Sequence, residues 1–541
     1  MVAHPGRRRG GTAMTEATPP MQKIPPATLK AMLRDGAELA IVDAREEGEF
    51  GQSHLFWAAP LPLSRLPLRA AALLPRKTVR IVVTDDGRGL AERAAAQLQG
   101  LGYTDLAVLE GGTPAWQQAG LELFSGVNVP SKAFGEWVEH AYETPSIDPL
   151  ELKALQESGQ DLVILDSRPW DEYSRMTIPG ATNVPGAELA LRAPALVPGP
   201  DTLVVVNCAG RTRSILGAQS LRSFGLPNRV VALRNGTMGW ELAGLACDRA
   251  ATASYDPATG PTQAQRARAE ALAALHGVGT INAMTLMRWR NDPSRTLYVL
   301  DVRAAAEYQA GHLPGSLHAP GGQLVQSTDA WVAVRHARIV LVSDDGVRSR
   351  MTAQWLAQMG HRDIHVLDAS PAMLTALPPP PATIPADLAI APGQLAHLLD
   401  QDAATVIDLA RSIDYRSGHI PGARWAVRTR LSRLGALPEG TIVLTASDPA
   451  LALLAVPEAE NLATGPVKVL RGGLAEWRAM GLPVEANRHT PEDAGCVDFY
   501  LRAYDRNDGV EEAMRAYLAW EIDLPNAVAR DEDASFGPAR A

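Results

Sequence analysis

One phrase occurs four times in this chain: AIVDAREEGEF from residue 40, VILDSRPWDEY from 163, YVLDVRAAAEY from 298 and TVIDLARSIDY from 405. Each is an apolar run ending in aspartate and followed by a short acidic segment, which reads as a strand entering a helix. Three copies continue into a Pro-Gly turn (MTIPGATNVP, GHLPGSLHAP, GHIPGARWAV), and the first continues as SHLFWAAPLP. A second apolar run follows in every copy: RIVVTDDGRG, TLVVVNCAGR, RIVLVSDDGV and TIVLTASDPA. Counted from the repeat aspartate, the residue after this run lies 42, 42, 43 and 39 positions on, which aligns Asp85, Cys208, Asp344 and Ser447. LEGGTPAW, LRNGTMGW and LRGGLAEW close the first, second and fourth copies, and LDASPAML the third.

Between the runs lie segments such as AERAAAQLQGLG and RSILGAQSLRSFG, apolar at three- and four-residue spacing and stopped by glycine. That is the pattern of amphipathic helices, and strands alternating with such helices imply parallel-sheet α/β units. Polar and Pro-rich stretches divide the chain into units at 23–126, 127–252, 276–378 and 379–488. The expected remainder is a disordered leader over 1–22, a linker over 253–275 with a helical latter half, and a helical C-terminal tail over 489–541.

Net charge is -9 with 21% charged residues, so no electrostatic argument favours a nucleic-acid partner. No run of apolar residues is long enough to span a bilayer, and no membrane association is expected. The opening MVAHPGRRRGGTAMTEATPP carries arginines without an apolar segment behind them, so neither a secretory nor a twin-arginine signal is expected, and Met14 is an alternative start. Three scattered cysteines, Cys208, Cys247 and Cys496, form no C-x-x-C pair, which argues against a disulfide framework or a metal site and for a reducing cytoplasm.

The series D-x-R, E-Y, G-H-I-P-G-A, a cysteine loop and a closing L-x-G-G…W resembles the rhodanese family of sulfurtransferases, over about residues 23 to 486 and most fully in the second copy. The resemblance implies four tandem domains, each a doubly wound central parallel sheet flanked by helices. It also implies a cysteine loop that joins a strand end to the next helix.

The residues themselves place Cys208 at the carboxyl end of a buried strand, where open α/β sheets present their sites. Ala209, Gly210, Arg211, Thr212, Arg213 and Ser214 must turn the chain into a helix starting near Ser214. Such a loop directs N–H groups inward, and with the helix dipole and two arginines it favours an anion and lowers a thiol pKa. Cys208 is therefore the expected nucleophile, and the six residues after it the expected substrate-binding loop. The chemistry expected is transfer of a sulfane sulfur from a small anionic donor such as thiosulfate, through a Cys208 persulfide, to cyanide, a thiol or a protein acceptor, with no cofactor and no metal.

Aspartate or serine at the matching position cannot carry a persulfide, so the other copies read as inactive scaffold or docking units. The pairs Asp43/Arg45, Asp166/Arg168 and Asp301/Arg303 occur with and without cysteine, which points to a structural role. His54, His312 and His419 stand where the second copy has Thr177, so no histidine pairs with Cys208; Cys247 and Cys496 read as structural. Three other functions compete. Cysteine phosphatases need C-x5-R, whereas Arg213 makes C-x4-R and Ser214 takes the phosphatase arginine position. A persulfide carrier that docks partners without turnover, and a mercaptopyruvate-specific transferase, are the others.

Overall fold

The computed structural model describes residues 21–537. In the second unit the run LVVVN is buried from end to end, so it sits between two helical layers rather than at a solvated face. Its sheet is parallel throughout, in the order Ser146–Ile147, Val230–Leu233, Leu203–Asn207, Leu162–Asp166, Ala181–Asn183. The third sheet repeats this order with Gly279–Thr280, Asp363–Asp368, Arg338–Ser343, Leu297–Asp301 and Leu317–His318. The fourth does so with Ala389–Ile390, Val467–Leu470, Thr441–Thr445, Ala404–Asp408 and Arg424–Trp425.

The first sheet has the same core, Gln22–Ile24, Leu106–Leu109, Arg80–Thr84, Leu39–Asp43 and Ala58–Pro60, and gains a sixth strand. That strand, Val334–Arg335, is lent by the third unit and pairs antiparallel with Leu39–Asp43. Residues 1–20 of the expected leader lie outside the described residues, and Gln22 belongs to the first strand rather than to a leader. In the linker, Thr262 and Gln265 form a capping box for the helix Gln263–Leu275. The tail carries the helix Val510–Asp531. Among the described residues no helix is long and apolar enough to cross a membrane.

The repeat phrase builds a buried clamp. Arg168 Nε and Nη2 donate to Asp166 at 2.9 and 2.6 Å, and Nη2 also reaches the Met176 carbonyl at 2.5 Å, tying the first crossover to the strand end. Arg45 holds Asp43 and the Ser53 carbonyl in the same way, and Arg303 holds Asp301 and the Gly311 carbonyl. The turn histidines stack on the aromatic of the preceding helix, His54 on Phe50, His312 on Tyr308 and His419 on Tyr415. Thr177 instead donates to Asp166 Oδ2 at 2.7 Å.

Sheet register corrects part of the sequence alignment. The clamp aspartates pair with Thr84, Asn207, Val342 and Thr445, so the residues that follow are Asp85, Cys208, Ser343 and Ala446. Asp344 and Ser447 lie one residue beyond the cysteine position; in unit three that position, Ser343, is 42 residues from Asp301, as Cys208 is from Asp166. A shared contact supports the new equivalence: Cys208 Sγ meets Ser214 Oγ six residues on, and Ser343 Oγ meets Ser349 Oγ.

Units two and three abut closely. A Cβ on Gly322 would stand 3.0 Å from the Gly186 amide nitrogen, so the contact needs glycine there. Beside it, Arg348 is 2% exposed and donates to Glu188 across the interface at 2.7 Å and to Asp345 at 2.6 Å, with Glu307 and Asp344 on its other side. Removing one partner of a buried ion cluster leaves the others uncompensated. Arg348→Met should therefore cost about 3–5 kcal/mol, seen as an earlier midpoint in urea unfolding.

In the fourth unit Ala410 replaces the clamp arginine, and Asp408 accepts the Ala410 N–H at 2.9 Å. Burial lifts its carboxyl to about 6. Because this exceeds the ordinary value, ionisation withdraws stability as pH rises through that range. Asp408→Asn is expected to stabilise the protein by about 1–3 kcal/mol near pH 8 and by little near pH 4, measured by unfolding at the two pH values.

Candidate functional site

Three consecutive valines, Val204 to Val206, favour the pleated, two-sided burial of the strand that delivers Cys208 to the carboxyl edge of the second sheet. The strand's last residue, Asn207, donates from Nδ2 to Asp166 Oδ2 at 3.0 Å and so joins the clamp to the cysteine. The closing phrase of the repeat packs from the other side. Thr237 N–H donates to the Cys208 carbonyl at 2.9 Å and Met238 N–H to the Ala209 carbonyl at 3.0 Å. Gly236 has φ +54, and a Cβ there would lie 2.2 Å from the Cys208 carbonyl oxygen, which accounts for glycine in that phrase.

The helix after the loop spans Thr212–Phe224 and begins two residues before the expected Ser214. Ser214 sits beneath the sulfur: the Cys208 thiol donates to its hydroxyl at 3.4 Å, and that hydroxyl donates to the Arg211 carbonyl at 2.8 Å. Cys208 is 1% exposed.

The loop arginines are less free than their sequence suggests. Arg211 donates to both carboxylate oxygens of Glu136 at 2.7 Å, and also to Glu139 and Asn235. Arg213 forms a bidentate pair with Glu172 at 2.9 and 2.7 Å. Burial opposes the Glu172 charge, but Arg213 overrides it and holds that carboxyl below the usual carboxylate range.

Other elements complete the site. Cys208 lines a pocket enclosing about 670 Å³ of empty space, with the loop from Ala209 to Arg213 on one side and Lys132, Arg502, Tyr517 and Glu521 on the other. Lys132 comes from the helix Val129–Ala141, and Tyr517 and Glu521 from Val510–Asp531. Lys132 donates to the Tyr517 hydroxyl and lies 3.8 Å from Glu521 Oε1, which also takes the Thr212 hydroxyl. Gly210 packs under this cover, a Cβ there standing 3.1 Å from Tyr517 Cε1. Burial pulls the Lys132 ammonium below its usual pKa, Glu521 opposes that shift, and the Cys208 sulfur is near enough to act on Lys132, Arg213 and Tyr517 alike.

Of the residues singled out in the sequence, Ala209, Gly210, Arg211, Thr212 and Arg213 line the pocket with Cys208, and Ser214 supports the sulfur from below. Sequence reasoning missed Lys132, Glu172, Tyr517 and Glu521. The one signal in the tail was Tyr517 and Glu521 one helical turn apart in VEEAMRAYLAWEI. Burial pushes the Cys247 thiol up to about 12 and raises that of Cys496, so both are held as thiols.

The first unit shows what such a loop holds when cysteine is absent. Asp85 turns its carboxylate into the loop and accepts the N–H groups of Gly87, Leu90 and Ala91 at 2.8, 2.7 and 3.1 Å. By position, the corresponding donors around Cys208 are the amides of Gly210, Arg213 and Ser214, the last turned to the Arg211 carbonyl.

Fold and site together define a tandem α/β protein with a buried cysteine at the strand–loop–helix turn of its second unit. The family model for the Rhodanese-like domain matches residues 25–119, 148–243 and 283–370, and the chain belongs to that family. It is 45% identical to the solved thiosulfate sulfurtransferase from Pseudomonas aeruginosa, with TM-score 0.87, covering 96% of this chain and 99% of that one. It is also 35% identical over 117 residues to an uncharacterized protein of Synechocystis sp., the match spanning 22% of this chain and 64% of that protein. An HTH-type transcriptional regulator of Mycobacterium tuberculosis is 34% identical over 111 residues, 20% of this chain and 47% of that protein.

Asp85→Ala strands the loop amides of Gly87, Leu90 and Ala91 and is expected to lower stability by about 1–3 kcal/mol. Thermal unfolding with and without added sulfate checks this, because an anion entering the vacated cradle should restore part of the loss.

Proposed function

We propose that the protein is a sulfurtransferase in which Cys208 carries the sulfur. The Cys208 thiolate attacks the outer sulfur of an anionic donor such as thiosulfate. A new S–S bond forms, the donor S–S bond breaks, and sulfite leaves with its electron pair. A second nucleophile, cyanide or a thiol, then attacks the outer sulfur, and the Cys208 thiolate is released with the pair of the broken bond.

The observation that carries this reading is the Asp85 carboxylate: the same loop, one unit away, closes around a negative charge with its own N–H groups. With cysteine in that place the donors favour a thiolate and then a persulfide. Lys132, Arg213 and Arg502 line the same pocket and supply cations for an anionic donor, two of them outside the loop. The similarity to a thiosulfate sulfurtransferase over nearly the whole chain supports the same donor class. Units one, three and four, with Asp85, Ser343 and Ala446 at the cysteine position, serve as scaffold or docking units. Three free cysteines among the described residues support a reducing compartment, the cytoplasm.

A second reading, a persulfide carrier without rapid turnover, is favoured by the 1% exposure of Cys208. Discharge kinetics separate the two: ping-pong turnover with cyanide supports the enzyme, and stable loading without release to small nucleophiles supports the carrier. Intact-mass analysis after thiosulfate treatment should show one added sulfur on the wild type and none on Cys208→Ser. An adduct that survives in the variant, or no adduct from any sulfur donor, overturns the assignment.

A further inference from the structure

An apolar annex adjoins the Cys208 pocket. It lies between units two and three, is walled by Ala187, Leu216, Val325, Met351 and Trp355, and meets the Cys208 pocket at Arg213 and Gln326, which line both. One hydrogen-bond acceptor at this junction and one in the Cys208 pocket beyond it have no partner. Gln326 Oε1 belongs to a residue 8% exposed, and Glu521 Oε2 to one fully buried. Leaving such atoms unpaired is costly, so their place on the pocket wall asks for a ligand that brings hydrogens. Thiosulfate, sulfite and cyanide ions have none to give, and none has an apolar part to fill the annex.

We propose that the annex is the acceptor subsite, and that the acceptor is an organic thiol with a short apolar arm and an N–H donor beside its sulfur. This rests on the persulfide reading above and names the second substrate's class. The arm lies between the units, the N–H meets Gln326 or Glu521, and the sulfur points through the junction to Cys208. The acceptor thiolate, its proton lost to solvent, attacks the outer sulfur of the persulfide. One S–S bond forms, the bond to Cys208 breaks, and the acceptor leaves as its own persulfide.

The test uses the full chain and a series of N-acyl cysteamines from acetyl to hexanoyl, with cyanide as the hydrogen-free comparison. The thiol KM should fall about threefold per added methylene while the annex fills. Val325→Trp, which fills the annex, should abolish that trend, and Gln326→Leu should raise the thiol KM about tenfold relative to that for cyanide. Calorimetry with N-hexanoylethanolamine, which cannot accept sulfur, reads the subsite independently of Cys208 chemistry. Binding to the wild type and not to Val325→Trp supports the subsite even if no persulfide forms. No binding, a KM independent of chain length, or variants that affect thiols and cyanide equally would overturn it.

Discussion

The carboxylate of Asp166 is the point on which the second unit turns. Fully buried, it accepts from Arg168, from the Thr177 hydroxyl and from Asn207, the residue immediately before Cys208. A lone buried carboxylate would be expensive, and the bidentate guanidinium with two further donors offsets that cost. The result is geometric. The first crossover, the turn after it and the end of the cysteine strand are referred to one atom group, so the loop that follows starts from a fixed height. Units one and three keep the Asp–Arg core of this device without any cysteine, which makes it a property of the fold rather than of the reaction.

How far the site could be read from sequence follows from which contacts are local. The strand, cysteine and helix lie within about twenty consecutive residues, and their periodicity is legible. The closing Gly236 is legible as a repeat, though its reason, the approach to the Cys208 carbonyl, needs the fold. Taking the end of the apolar run as the landmark failed in units three and four because hydrogen-bond register, not hydropathy, fixes equivalence, and so Ser343 and Ala446 replace Asp344 and Ser447. The loop arginines misled for a related reason. Arg211 looked free in its own segment, yet Glu136 and Glu139 reach it from a helix some seventy residues earlier. Tyr517 and Glu521 arrive from three hundred residues later, beyond any local pattern.

The units without cysteine are structurally engaged with the one that has it. The third lends the strand Val334–Arg335 to the first sheet, covering an edge that would otherwise present unpaired backbone. It also sends Arg348 to Glu188 and closes one wall of the annex. The tail helix reaches Lys132 and Thr212 near one end and, through Asp531, Lys30 of the first unit at the other. A single-unit relative could not build the Cys208 pocket found here, since Gln326, Arg502, Tyr517 and Glu521 reach its lining from outside the second unit.

The loops also explain how a unit can lose its cysteine and keep its shape. A turn that points several N–H groups inward is stable when something accepts them. Unit one meets the need with Asp85, and unit three with Asp345, whose carboxylate takes the amides of Val347 and Arg348. In unit two the position of Asp85 is the Cys208 sulfur, and that of Asp345 is Gly210, which has no side chain to take the amides. The strand–loop–helix turn is thus kept by the fold in units with and without cysteine, and only the residue at its start differs.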